Sequence, residues 1–402
     1  MSQEIELPVV DVGPVAHGGH CVARLDGQVV FVRHTLPGER VRIRITERSK
    51  RFLRADAVEV IQAAPDRVDA PCPYAGVCGG CDFQHVSPAG QRRLLTAVVR
   101  EQLERLAGLS WEGEVEAVQP KDLGWRTRVA FAVDDAGHAG LRRHRSHDVV
   151  PIERCLIAHP DLPDVLGHTW DAESVEAIVS SSGERVLVTD ASISDEVESS
   201  VDGVVAVDGT VRGGRGALTE RVRDRSMRVT GSGFWQVHPS AAATLLDAVL
   251  EAAVAAPGET VVDLYAGVGL FTTFLADSVG EQGTVVSVES DRGAARDARR
   301  NVHDQPQVRL LNATVERALR AGEVPSADVV VLDPPRTGAK RAVAGIAALE
   351  PRRIVYVACD PAALARDLAT FGELGYRLDR LRAFALFPMT HHVECVATLV
   401  PL

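Results

Sequence analysis

The chain has 402 residues, 46% of them hydrophobic and 25% charged, which leaves room for two or three packed domains and excludes a disordered or fibrous chain. No apolar run approaches the roughly 18 residues of a membrane span, and the N-terminal MSQEIELPVV lacks the basic and apolar regions of a secretory signal, so a cytoplasmic protein without a membrane partner is expected. The net charge of −11 argues at first against nucleic acid, but residues 161–208 hold twelve Asp or Glu against one Arg, so the rest of the chain is neutral. Two basic stretches remain as candidate phosphate contacts: 40–54, with seven Arg or Lys and one Glu, and 211–228, with six Arg and two acids.

Residues 5–60 read as short strands. VVFV (29–32) and RVRIRIT (40–46) are separated by the turn LPGE. In RVRIRIT the Val and Ile side chains face one way and the Arg side chains the other, which fits a small barrel, apolar inside and basic outside. Residues 63–235 are mixed. They open with PCPYAGVCGGCDFQHV, continue with a predicted helix at 88–107, and carry predicted strands at 126–133, 149–151, 185–189 and 203–207. The acidic 161–208 stretch has no clear pattern. Residues 236–402 alternate strand and helix, with strands predicted at 260–264, 284–288, 307–311, 327–332 and 353–358 and an antiparallel pair at 377–400. That alternation predicts a doubly wound α/β sheet whose ligands lie at the strand carboxyl ends.

TVVDLYAGVGLFT (260–272) is a buried strand, an acid, a Gly-x-Gly turn and a helix start. Gly267 and Gly269 let backbone approach a ligand, although the spacing is not GxGxxG. The next strand ends in Glu289, an acid placed to accept ribose hydroxyls. In ADVVVLDPPR (327–336) the prolines carry Asp333 out of the sheet over the same cleft. Arg336 stands where adenine-N6 methylating enzymes carry an aromatic residue. Cys359 ends the strand RIVYVA beside a helix start, where the dipole favours a thiolate. Glu394 opens the last strand in HHVEC. DLYAGVG resembles the S-adenosylmethionine loop of class I methyltransferases, and a thiolate and a carboxylate over that sulfonium donor suit methylation at uracil C5. Addition of the thiolate to C6 makes C5 nucleophilic, and a base then removes the C5 proton.

FWQVHP (234–239), DLYAGVG (263–269), LDPPRTGA (332–339), YVACDPAALARDL (356–368) and FPMTHHVEC (387–395) together resemble the RNA uracil-C5 methyltransferases that form 5-methyluridine in tRNA and 23S rRNA. The resemblance spans nearly the whole chain. It implies a class I S-adenosylmethionine-dependent, Rossmann-like methyltransferase domain at 236–402. A TRAM-like OB barrel at 1–62 and a β-rich iron–sulfur domain at 63–235 would precede it. By the resemblance, Cys359 is the nucleophile and Glu394 the base. Gln236, Tyr265, Gly267, Glu289 and Asp333 would bind S-adenosyl-L-methionine, and position alone places Asn312 near it. Three positions depart from the family pattern: Leu270 where Asn is frequent, Ala358 where Ser is usual, and Asp360 where Asn is frequent.

Seven cysteines are too few and too unevenly spaced for a disulfide scaffold. Cys72, Cys78 and Cys81 are close, and Cys155 follows far downstream in ERCLIAHP. This spacing differs from the paired CxxC usual for zinc and from CxxxCxxC. It is similar to the pattern with which the rRNA branch of the family holds a [4Fe-4S] cluster. Barrel plus cluster points to 23S rRNA, because tRNA-methylating members generally lack both. The alternatives are the same reaction on tRNA, cytosine-C5 methylation of RNA, and a non-catalytic RNA-binding protein; a monomer is expected.

Overall fold

The computed structural model describes residues 7–120 and 122–402. Strands β1 (Val9–Asp11), β2 (Cys21–Leu25), β3 (Gln28–Arg33), β4 (Arg40–Arg48) and β5 (Phe52–Gln62) form one sheet in the order β1-β4-β5-β3-β2. Its ends meet where Gly13 N–H donates to Val22 O (2.7 Å) and Val22 N–H to Pro14 O (2.9 Å), closing a barrel. A Cβ on Gly13 would lie 2.9 Å from Val22 O, so only glycine permits that approach. In β4, Val41 and Ile43 are fully buried while Arg40 and Arg44 are exposed, the alternation expected from sequence. The turn at 36–39 folds Glu39 inward. Its carboxylate accepts from Leu36 N–H (2.8 Å), Ala64 N–H (3.2 Å) and Arg67 Nη2 (2.7 Å), tying the barrel to the segment that follows.

Helix α1 (Pro88–Ala107) has the bounds predicted from sequence. Ser87 Oγ caps it by accepting from Gly90 N–H, Pro88 pre-sets its first turn, and Gly108 ends it at φ 65°. After β6 (Val115–Ala117) comes a seven-stranded sheet of β7 (Arg128–Val133), β8 (Ala139–Arg142), β9 (Val149–Pro151), β10 (Ser174–Val179), β11 (Arg185–Val188), β12 (Gly203–Val205) and β13 (Val211–Gly214). Its order is β13-β12-β11-β10-β7-β8-β9, with the short α2 (Asp195–Ser199) between β11 and β12. The acidic 161–208 stretch supplies β10 to β12. Val175, Ala177 and Leu187 are fully buried in one apolar cluster there and Val186 in another, and most of the acids are exposed.

A hairpin of β14 (Ala217–Val222) and β15 (Arg225–Thr230) precedes the C-terminal α/β unit. That unit runs α3 (Ala241–Ala253), β16 (Thr260–Leu264), α4 (Leu270–Val279), β17 (Thr284–Glu289), α5 (Arg292–Asn301), β18 (Val308–Asn312), α6 (Val315–Arg320), β19 (Val329–Leu332), α7 (Ala342–Ala347), β20 (Arg353–Ala358), α8 (Pro361–Glu373), β21 (Tyr376–Ala385) and β22 (Glu394–Pro401). Its sheet order is β18-β17-β16-β19-β20-β22-β21-β6, parallel from β18 to β20. The order reverses between β16 and β19, so a crevice opens at the carboxyl ends of those strands.

The barrel sheet ends at Gln62, at the expected cut, but the C-terminal unit reaches back across 235. β6 pairs in parallel with β21, so part of the segment before 235 belongs to the C-terminal sheet. The β14–β15 hairpin also sits on the C-terminal unit: Val222, Met227 and Val229 share a core with α3 and α4. Asp297 of α5 accepts from Thr230 N–H (2.7 Å), Thr230 Oγ1 (2.7 Å) and Arg228 Nε (3.1 Å).

The two basic stretches have different fates. In 211–228, Arg215, Arg223, Arg225 and Arg228 pair with Glu184, Asp247, Asp277 and Asp297, and Arg212 donates to Ala191 O. That stretch is engaged in internal pairs rather than left as a phosphate stripe. In 40–54, Arg44, Arg48, Lys50 and Arg51 are exposed and carry no ion pair among the described residues. Among the described residues no helix is long and apolar enough to cross a membrane.

Candidate active site and cysteine pocket

A cleft of ≈ 1400 Å³ opens at the carboxyl ends of β16, β17, β19 and β20. Gln236, Tyr265, Gly267, Glu289, Asp333, Cys359 and Glu394 all line it, so seven positions singled out in the sequence meet at one place. Asn312 does not line it. Its Nδ2 donates to Glu289 O (2.8 Å) and Ser290 O (3.2 Å), so it supports the turn that carries Glu289.

The turn after β16 is built for close approach. Tyr265, Gly267 and Gly269 have φ of 61°, 57° and 89°. The first is a left-handed tyrosine, a costly conformation that the surroundings must enforce. α4 starts at Gly269 with no side-chain cap, which leaves its first N–H groups for a ligand. Glu289 joins the loop to the second strand, accepting from Gly267 N–H (2.9 Å) and Asp291 N–H (2.5 Å). Beneath the loop Asp263 is fully buried, and one carboxylate oxygen accepts from Thr272 Oγ1 (2.5 Å).

Two acids of the cleft, Asp333 and Glu394, hold their protons unusually well. Burial pushes Asp333 up to about 7, and the neighbouring Asp263 adds to it. Burial, then the Asp333 charge, raises Glu394 well above the usual carboxylate range, while Arg336 opposes the shift. Burial, then Glu394 and Asp333, pushes the Cys359 thiol up to about 12. This reverses the expectation of a thiolate favoured by the helix dipole. Asp360 caps α8 itself, accepting from Ala363 N–H (2.7 Å), so a carboxylate already occupies the helix N-terminus.

Asp82, His391 and His392 border the cleft beside Arg336 and escaped the sequence reading as individuals. The signal was their adjacency to Cys81 and Glu394. His17 Nε2 of the barrel lies 3.0 Å from the Asp360 carboxylate, a contact between distant segments that no local pattern announces.

Cys72, Cys78, Cys81 and Cys155 are all free and line a separate cavity of ≈ 60 Å³, walled by Tyr74, Leu141 and Ile152 among others. Gly80 N–H and Gln84 Nε2 donate to the Cys78 and Cys81 sulfurs, both at 3.4 Å. Burial raises the thiols of Cys78, Cys81 and Cys155, and each is raised further by its cysteine neighbours. Among the described residues no three or more His, Cys, Asp or Glu converge to hold a single metal ion; the four sulfurs border a void instead.

Comparison with known proteins agrees with this geometry. A TRAM domain model matches residues 3–58, and a model of tRNA (uracil-5-)-methyltransferase matches residues 217–400, starting at the β14–β15 hairpin. An RNA methyltransferase of Streptomyces avermitilis, itself described as uncharacterized, is 48% identical over 100% of this chain and 99% of its own. A second, from Streptomyces coelicolor, is 49% identical over 98% of this chain and 92% of its own. The crystal structure of the Pyrococcus abyssi tRNA (uracil-54, C5)-methyltransferase with S-adenosyl-L-homocysteine superposes with a TM-score of 0.72 and 25% identity. It covers 97% of this chain and 99% of that one. The chain belongs to the RNA uracil-5-methyltransferases, S-adenosylmethionine-dependent enzymes with a Rossmann-like fold, here preceded by a TRAM domain.

Proposed function

We propose that the chain methylates C5 of a uridine in RNA through a covalent bond between Cys359 and C6, with Glu394 as the base. The observation that carries this is the convergence of Cys359, Glu394 and Asp333 in one cleft with the Gly267 loop and Glu289. S-adenosyl-L-methionine supplies an electrophilic methyl group on a sulfonium, a positive charge suited to a cleft lined by buried carboxylates. Gln236, Tyr265, Gly267, Glu289 and Asp333 would hold it. The Cys359 sulfur adds to C6 and gives C5 the electron density to take the methyl group. Glu394 then accepts the C5 proton, and the electron pair of the C5–H bond returns to the ring and expels the Cys359 thiolate. A carboxylate that binds its proton more tightly than usual is suited to that acceptance once ionised.

The four-cysteine cavity supports a [4Fe-4S] cluster held by Cys72, Cys78, Cys81 and Cys155. Four thiols, two donors aimed at sulfur and an apolar wall fit such a group. Its role in this reading is to hold a loop-rich region in shape. Anaerobically purified protein is expected to be coloured and to carry iron and sulfide, and Cys78→Ser is expected to lose both. A colourless preparation with one zinc per chain would exclude it.

The cysteine pocket favours 23S rRNA as substrate. A second reading, tRNA, is favoured by the Pyrococcus abyssi tRNA enzyme. It matches this chain over nearly its full length, so overall architecture does not separate the two substrates. The chain is expected to act in the cytoplasm as a monomer, which light scattering checks. Function is tested by incubating the protein and S-adenosyl-L-methionine with total RNA containing 5-fluorouridine. The fluorine cannot leave as a proton does, so the methylated adduct persists. Mass spectrometry is expected to find it on Cys359, and the bound RNA identifies the substrate. No adduct despite bound RNA and cofactor would favour cytosine methylation or RNA binding alone.

A further inference from the structure

The cysteine pocket and the catalytic cleft are neighbours, and one short segment joins them. Cys81 lines the first and Asp82, next in the chain, lines the second. The Asp82 and Phe83 N–H groups both donate to Met389 O, at 2.8 and 2.9 Å. Met389 N–H donates to Gln91 Oε1 at 2.8 Å, and Gln91 Nε2 donates back to Phe83 O and Val86 O. These bonds surround a residue at φ 68°, a left-handed conformation uncommon for a side chain other than glycine. The Met389 side chain packs in one apolar cluster with Trp125, Ile157, Phe387, Cys81 and Cys155. The 387–393 turn that leads into Glu394 therefore takes its shape from the cysteine loop.

One polar pair fastens that contact at the cleft. The Asp82 carboxylate accepts from His391 N–H at 3.2 Å and lies 2.6 Å from His391 Nδ1. The His391 ring lies tilted against His392, centroids 4.2 Å apart, and His392 Nε2 is 3.4 Å from Arg336. The chemistry of Cys359 and Glu394 uses neither Asp82 nor His391 directly.

We propose that Asp82 is a positioning residue. By holding His391 it fixes the turn that aims the Glu394 carboxylate at the C5 proton, and so ties the second half of the reaction to the cysteine loop. This rests on the reading of Glu394 as the base. Proton transfer requires hydrogen-bond reach, so a small displacement of Glu394 slows product release from the adduct. Cys359 stands between β20 and α8; β20 is paired with β22 (Ala358 opposite Cys395), but neither Asp82 nor His391 hydrogen-bonds to it, so adduct formation is left intact.

The test uses the full-length chain as wild type, Asp82→Asn, His391→Gln and the double variant. The RNA is a transcript of 23S rRNA or of tRNA, whichever the wild type methylates. Each single variant is expected to lose kcat by about 10- to 100-fold with KM for RNA falling in step, so that kcat/KM stays within about 3-fold. Each should accumulate a covalent complex with ordinary uridine RNA on denaturing gels, yet trap 5-fluorouridine RNA at the wild-type rate. The double variant should be no slower than the worse single one, because the two residues act as a pair. Unchanged kcat, trapping that falls in step with kcat, or additive losses would each overturn the proposal. Should Asp82→Asn fail to fold, His391→Gln decides by the same rates, its side chain being 30% exposed. A wild type that neither methylates nor traps would overturn the uracil reading instead.

Discussion

At the scale of single residues, Asp333 and Glu394 of the site resist ionisation. For Asp333 the folded pKa of about 7 lies above the ordinary 3.8. A carboxyl raised in the fold costs nothing below pH about 4, where both states hold the proton. The penalty grows as pH rises through 3.8 to about 7 and is full above that. Asp333→Asn is therefore expected to raise the melting temperature of the ligand-free chain at pH 8 but not at pH 3.5, and to weaken S-adenosyl-L-methionine binding. Calorimetry at the two pH values checks the first and titration the second. Glu394 and Cys359 are both raised, and the proposed mechanism uses both in ionised form. Turnover is expected to climb with pH from 6 to 9; a flat profile would show that the cofactor's charge or the RNA has already ionised both. Cys359→Ala should abolish methylation and leave RNA affinity within about 3-fold, because binding and bond formation are separate contributions.

At the scale of elements, the joints between segments matter more than the segments. The Glu39 carboxylate is buried in the barrel, and Arg67 reaches it from the following segment. Removing one partner of a buried pair leaves an uncompensated charge, so Arg67→Met is expected to cost about 3–5 kcal/mol, read by urea unfolding. Burial raises Glu39, but the Arg67 hydrogen bond and two backbone N–H groups together hold it below its ordinary 4.5. Its contribution is thus present above pH 4.5 and lost as pH falls through the folded value, so the two proteins should converge in acid. Within the barrel, Ile43→Ala is expected to cost about 2–5 kcal/mol, because a fully buried side chain leaves a cavity.

At the scale of the whole molecule, charge placement outweighs charge total. The net charge is −11, yet the exposed Arg44, Arg48, Lys50 and Arg51 of the barrel are free of ion pairs among the described residues. Replacing two of them with Gln is expected to weaken RNA binding across sequences and to lower the salt slope by about one unit for each phosphate no longer neutralised. The same change at Arg223 and Arg225, which pair with Asp247, Asp277 and Asp304, should leave the slope alone and lower stability instead. Filter binding over a range of salt separates the two sets.

Local patterns in the chain were enough for much of this. The 3.6- and 2-residue periods located α1, β4 and the strands of the C-terminal sheet, because burial on one face leaves a period in the residues. The Gly loop, DPPR, Cys359 and HHVEC named the cleft residues, because ligand binding needs particular side chains at strand ends. Other features depended on contacts between distant segments. The acidic stretch hid β10, since its outward residues obscure a short inward run, whereas β11 and β12 fall where strands at 185–189 and 203–207 were expected. The 211–228 arginines read as a nucleic-acid face until the distant partners of Arg215, Arg223, Arg225 and Arg228 came into view. The high pKa of Cys359, the pairing of β6 with β21, and the Asp82–His391 clasp all depend on residues far apart in the chain, which only the tertiary structure brings together.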